Sequence, residues 1–221
     1  MVDNSPSPQY RLRLTFAKKA AIKYIAHLDL VLAWERALRR AQIPLAYSHG
    51  FNPRPKMQFA SSLPLGTAGR AEIVDILINQ PLDPAEALAQ IRPALPAGIE
   101  LHSVEEVPLK SPSLQNLLRQ AEYHVTVETD LPAAELTQRI EALLAVDTLR
   151  QTRQRRSQTE EIDLRPWLHD LRLESVGEGE VHLSMRLTAG QFGNLRPAEV
   201  LQALGLAGNW AEIERTHLIF E

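Results

Sequence analysis

Apolar and polar residues alternate with period two at Leu12, Leu14 and Phe16, with Arg11, Arg13 and Thr15 between them, the pattern of a strand with one buried face. The period then lengthens. From His27 to Gln42, residues Leu30, Trp34, Ala37, Leu38 and Ala41 recur at helical spacing, backed by Leu28, Val31 and Leu32, and Pro44 stops the helix. The stretch from Tyr47 to Gly66 opens as a loop. After Pro53 and Pro55 it becomes a strand, with Met57 and Phe59 on one face and Lys56 and Gln58 on the other; the prolines assign it to a sheet edge or a bulge. Residues 71–80 form a further strand, Asp83-Pro84 opens a helix with Asp as N-cap and Pro in its first turn, and residues 98–107 are a closing strand.

The same order of elements recurs in the second half: a strand at 121–129, a helix at 132–146, a short strand near 148–153, a strand at 180–187, a helix entered at Arg196-Pro197 and a terminal strand at 214–220. The expected fold is therefore α+β, with two ferredoxin-like βαββαβ units packed in tandem. Its expected divisions are a disordered lead at 1–9, a first unit at 10–108, a linker at 109–120 and a second unit at 121–221 that carries an insertion at 154–179. The expected cores hold Leu12, Leu14, Phe16, Trp34, Leu38, Val74 and Ile76 in one unit and Val125, Val127, Leu183 and Leu187 in the other.

Charge adds what the pattern does not. Over the 221 residues the net charge is −3, but residues 1–70 hold 11 Lys/Arg against Asp3, Asp29 and Glu35, a charge of +8, and residues 71–221 hold 13 against 24, a charge of −11. An N-terminal part of that sign suits a polyanion. The chain has no Cys, which excludes disulfides, thiolate metal sites and Cys nucleophiles and makes the cytoplasm the expected compartment. No apolar run reaches the 18 or so residues of a membrane span. The seven histidines form no i, i+4 pair and no HExxH, so neither a metal nor a cofactor is expected, and phosphate-loop, dinucleotide and hydrolase-elbow motifs are missing from the sequence.

The unusual spacing concentrates in residues 24–66. Arg36, Arg39 and Arg40 share one flank of the helix, and Glu35 is spaced to pair with Arg39. Next come Tyr47, His49, Phe51, Asn52, Arg54 and Lys56. Asn52 and Arg54 precede prolines and are held extended, so that Arg54 and Lys56 share one side. These nine residues are the candidate RNA-binding set, with arginines for phosphates and aromatics for bases. The plainer reading makes the arginines a solvated helix face and puts Tyr47 and Phe51 in the core. His27 and Asp29, two apart on a helix, face away from one another, so one of them is expected to cap the helix start; no catalytic residue is assigned. A second basic cluster, Arg150, Arg153, Arg155 and Arg156, is either a locally paired hairpin tip or a second phosphate clamp.

In this region the sequence resembles the radical-SAM-linked protein family, an uncharacterised bacterial domain found fused to or encoded beside radical SAM proteins. The resemblance runs through Tyr24, Ile25, His27, Leu28 and Asp29, then Glu35, Arg36, Ala37, Arg39 and Arg40, then Pro44, Tyr47, Ser48, Gly50, Phe51, Asn52, Pro53, Pro55 and Lys56, then Leu63, Pro64, Leu65 and Gly66. It continues at Glu72 and Asp75 and again at Asp163-Leu164-Arg165-Pro166. Ala26 stands where the family more often has Ser, and Arg54 where His is common. The resemblance implies a radical SAM protein as partner. Three functions are weighed: an RNA-binding accessory module, non-catalytic alone, that presents RNA or a ribonucleoprotein substrate to that partner; a protein-docking adaptor without RNA contact; and a metal-independent RNA endonuclease built on His27 or His49.

Overall fold

The structure, a computed structural model, describes residues 9–155 and 158–221, with the side chains of 154–160 outside that description. The expected lead at 1–9 falls almost wholly outside it. Two compact units meet between Leu117 and Leu118. Together they form a mixed α+β protein with ten strands and five α-helices among the described residues.

The first unit runs β1 (Tyr10–Lys18), α1 (His27–Arg40), β2 (Met57–Phe59), β3 (Thr67–Ile78), α2 (Pro84–Ile91) and β4 (Ile99–Val107), and ends in the short α3 (Leu114–Leu117). Its strands lie in the order β4-β1-β3-β2 with every neighbouring pair antiparallel. Leu12, Leu14 and Phe16 of β1 and Val74, Ile76 and Ile78 of β3 face Leu30, Trp34 and Leu38 of α1 and Ala87 and Ile91 of α2. Trp34 has no solvent exposure, and Phe16 meets it edge-on with ring centres 5.0 Å apart. Asp83 caps α2 as its sequence requires, its carboxylate accepting from the amides of Ala85 at 2.9 Å and Glu86 at 3.2 Å.

The opposite face of this sheet is held by charge. Asp75 accepts from Nε and a terminal nitrogen of Arg11 and, at 2.9 and 3.1 Å, from Arg13. Lys18 is also buried. Its Nζ donates to the carbonyls of Lys23 at 2.9 Å and Ile25 at 3.1 Å, which fastens the segment leading into α1. That burial pushes the ammonium pKa down, with Glu72 opposing the shift.

The second unit runs β5 (Leu118–Glu128), α4 (Ala133–Ala145), β6 (Arg150–Arg155), β7 (Gln158–Asp163), β8 (Leu168–Val176), β9 (Glu180–Thr188), α5 (Pro197–Ala203) and β10 (Ala211–Phe220). Its main strands lie in the order β10-β5-β9-β8, again antiparallel, and β6 and β7 form a hairpin of their own. Tyr123, Val125, Val127, Leu183 and Leu187 pack on Leu136 and Ile140 of α4 and Val200 and Leu201 of α5. The expected insertion at 154–179 is corrected here. The strand near 148–153 belongs to the hairpin, and the strand that pairs with β9 is β8, inside the segment taken as inserted.

Candidate nucleic-acid interface

Why the chain makes a platform at this point follows from the turn after α1. Leu45 and Ala46 are buried, and Ala46 donates its amide to Leu77 while Lys56 donates to Ala46, so the chain is stitched to the edge of β3 before and after an excursion. Within the excursion Tyr47 bridges Pro55, the Ser48 amide donates to the Arg54 carbonyl at 2.9 Å, and the Arg54 amide donates to Ser48 Oγ at 3.0 Å. Gly50 lies at φ +126°, a conformation for which Gly is suited. Phe51 stands fully exposed at the tip.

The arginines of α1 diverge. Arg36 is exposed; Arg39 places its guanidinium 6.0 Å from the centre of the Tyr47 ring and 3.9 Å from Glu35; Arg40 donates to the Ala94 carbonyl at 2.6 Å, beside the turn that follows α2. Tyr47 is 39% exposed, so the expectation that Tyr47 and Phe51 fill the core is corrected: Leu45, Ala46, Pro55 and Phe59 fill it instead. His49, Asn52 and Arg54 are exposed on the same loop. Lys56 turns elsewhere. It lines a cavity of about 340 Å³ with Arg11, Gln58, Asp75, Leu77 and Leu109, reached from the sheet face that carries the Asp75 cluster.

The expected side-chain cap at His27 or Asp29 is corrected too. The N-cap is Ala26, with no side-chain capping bond; His27 opens α1 with its ring edge-on to Phe59 at 5.3 Å, and Asp29 is exposed. Of the second basic cluster, Arg150 lies 3.7 Å from Glu161 across the hairpin, whereas Arg153 reaches out to Glu199 of α5 at 2.7 Å. The side chains of Arg155 and Arg156 fall outside the described residues.

Periodicity misassigned one feature. Leu28 and Leu32, taken as backing for the buried stripe, are 72% and 40% exposed, with Tyr24 and Leu65 also exposed. Their spacing carried the signal, because positions 28, 32 and 36 run up one line of the helix and Arg36 belongs to water.

The family model described as an uncharacterised protein conserved in bacteria, DUF2344, matches residues 11–197. The chain belongs to this family. No curated protein matches it at a significant level. Among solved structures, this DUF2344 chain is similar to one in the crystal structure of a Cbf5-Nop10-Gar1 complex, with a TM-score of 0.53 and 15% identity over 95% of this chain and 48% of that one. Weaker likenesses are to the archaeal box H/ACA sRNP Nop10-Cbf5 complex, TM-score 0.47 at 12% identity over 95% and 47%, and to an H/ACA RNP bound to a substrate RNA containing 2'-deoxyuridine, TM-score 0.43 at 15% over 86% and 43%. The chain spans about half the length of the solved chains it resembles. At these identities the first likeness concerns the fold alone. Among the described residues, no helix is long and apolar enough to cross a membrane.

Proposed function

We propose that this protein is an RNA-binding accessory module, non-catalytic alone, whose interface is the outward end of α1 with the loop Tyr47–Pro55. The observation that carries the reading is the pairing of Arg39 with Tyr47 beside a fully exposed Phe51 on a loop closed by its own hydrogen bonds. Arg36, Arg39, Arg40 and Arg54 supply charge for a sugar–phosphate backbone, and Phe51 and Tyr47 supply faces for bases, a combination that binds single strands with little sequence preference. His49 and Asn52 would add polar contacts, and Lys56 would act from the neighbouring cavity. A radical SAM protein as partner rests on the sequence resemblance, and a cytoplasmic setting on the cysteine-free composition. We further read each unit as a ferredoxin-like split βαβ, a reading supported by the strand order 4-1-3-2 counted within each unit once the β6–β7 hairpin is set aside.

Titration of single-stranded RNA against the full chain at several salt concentrations tests this. Four neutralised phosphates give a log–log slope of about −3, and so roughly a 60-fold loss of affinity between 50 and 200 mM salt. No measurable binding at 50 mM salt would retire the reading.

A second reading has its own observation. Tyr24, Leu28, Leu32 and Leu65 are large, exposed and mostly aliphatic, and leucines do not stack on bases. A protein adaptor with an acidic, amphipathic partner would use these exposed side chains together with Arg36. It predicts that Leu28→Ser with Leu32→Ser abolishes co-purification of a radical SAM protein and leaves RNA affinity unchanged.

A further inference from the structure

The second unit holds a cavity of about 730 Å³ that none of the candidate RNA-binding residues touches. It lies between the β6–β7 hairpin, the turn that carries Trp167 and the loop between β9 and α5, with Arg153, Trp167, Phe192, Asn194, Arg196 and Glu199 in its lining. Its size falls within the range of small-molecule sites.

Two glycines shape the wall. Gly190 lies at φ +104°, and a Cβ there would stand 2.9 Å from the Leu118 carbonyl oxygen. Gly193 lies at φ +153°, and a Cβ there would stand 2.5 Å from the Trp167 indole. The backbone of this loop is therefore laid flat on Trp167, and the bend that achieves this throws Phe192 outward. Phe192 is 65% exposed. Arg119, which does not line the cavity, stacks on the Phe192 ring at 4.3 Å, and the ring itself borders the cavity.

Among the described residues of the lining, the charges sort into one spent pair and one exposed cation. Arg153 meets Glu199 through two parallel bonds of 2.7 Å, donates a third to the Asn194 carbonyl at 2.6 Å and lies 5.2 Å from the Trp167 ring, so it braces the hairpin against α5 and the loop. Arg196 is exposed and forms no ion pair among the described residues. The described lining thus carries two guanidinium groups and one carboxylate, next to an aromatic face that already has a cation behind it. Such a wall asks for a planar aromatic group joined to an anion.

We propose that this cavity is a nucleotide site, in which the base stacks on Phe192 and the phosphate meets Arg196. A free mononucleotide and one residue of an RNA strand share that chemistry, and neither depends on the interface on the first unit.

Calorimetric titration of the full chain with AMP, UMP, adenosine, ribose 5-phosphate and a ten-residue oligoadenylate tests the assignment. The mononucleotides should bind more tightly than either fragment, with Phe192→Leu and Arg196→Gln each weakening them by about tenfold. Both side chains are solvent-exposed, and circular dichroism melting checks that both variants stay folded. AMP bound better than the oligomer identifies a free nucleotide as the ligand; the oligomer bound better identifies RNA. Ribose 5-phosphate binding as well as AMP, adenosine binding as well as AMP, or AMP and oligomer binding that neither substitution changes would each overturn the proposal. An oligomer that loses affinity in Arg36→Gln with Arg39→Gln but not in Phe192→Leu would overturn this site while leaving the first interface standing.

Discussion

The guanidinium carbon of Arg39 lies 6.0 Å from the centre of the Tyr47 ring, which joins the solvent face of α1 to the loop that follows it. Arg36→Gln with Arg39→Gln removes two cations from this junction and should make the salt slope for single-stranded RNA shallower by about 1.4, equally for all sequences. Thermal melting should change little, since each side chain is exposed. Unchanged affinity and slope would show that the arginines serve solubility.

Trp34 fills the space between α1 and Phe16 with no exposed surface. Trp34→Ala should cost about 3 to 5 kcal/mol in denaturant unfolding, as truncation of a buried aromatic does. A loss below 1 kcal/mol would mean that the first unit closes around the gap.

Asp163 accepts from the amides of Leu149 at 2.7 Å and Arg165 at 3.0 Å, and these bonds hold its carboxyl below the ordinary carboxylate range. A group depressed in the folded state stabilises fully above its unfolded value near 4 and loses that contribution as pH falls through the lower folded value. The melting temperature of Asp163→Ala should therefore lie below that of the parent at pH 7, and the gap should close towards pH 2. A gap that does not change with pH would assign the loss to packing.

His49 is exposed on the loop, and His27 is turned onto Phe59 at the head of α1. Under the proposed function the protein does not cleave RNA alone, so purified protein in chelator should leave varied RNAs intact over hours. Metal-independent cleavage that disappears in His27→Ala or His49→Ala would make the protein an endonuclease.

How far the sequence could be read depended on what each residue's surroundings averaged over. The stripe of Leu30, Trp34 and Leu38 and the alternation of Leu12, Leu14 and Phe16 are local periodicities, and all six residues are buried as expected. β8 escaped notice because its register on β9 shifts twice, between Leu168 and Asp170 and between Leu173 and Ser175, and a shift breaks the alternation that marks a strand. The charge of the first 70 residues overstated the cations free to bind. Arg11 and Arg13 are engaged by Asp75, five residues past the window, and Lys18 is buried near Glu72. The cavity beside Trp167 joins residues about 45 positions apart, which no spacing rule connects.

The two reciprocal bonds between Ser48 and Arg54, under the Tyr47–Pro55 bridge, make the intervening residues a ring without a covalent link. Its ends are already pinned, so presenting Phe51 requires little further loss of chain freedom on binding. The stitches at Ala46, Lys56 and Leu77 lie outside that ring, and the pairing of β2 with β3 uses none of its residues. If the loop binds as proposed, recognition is modular: the sequence from His49 to Pro53 should tolerate lengthening, shortening or exchange at the tip while the sheet beneath it stays in register.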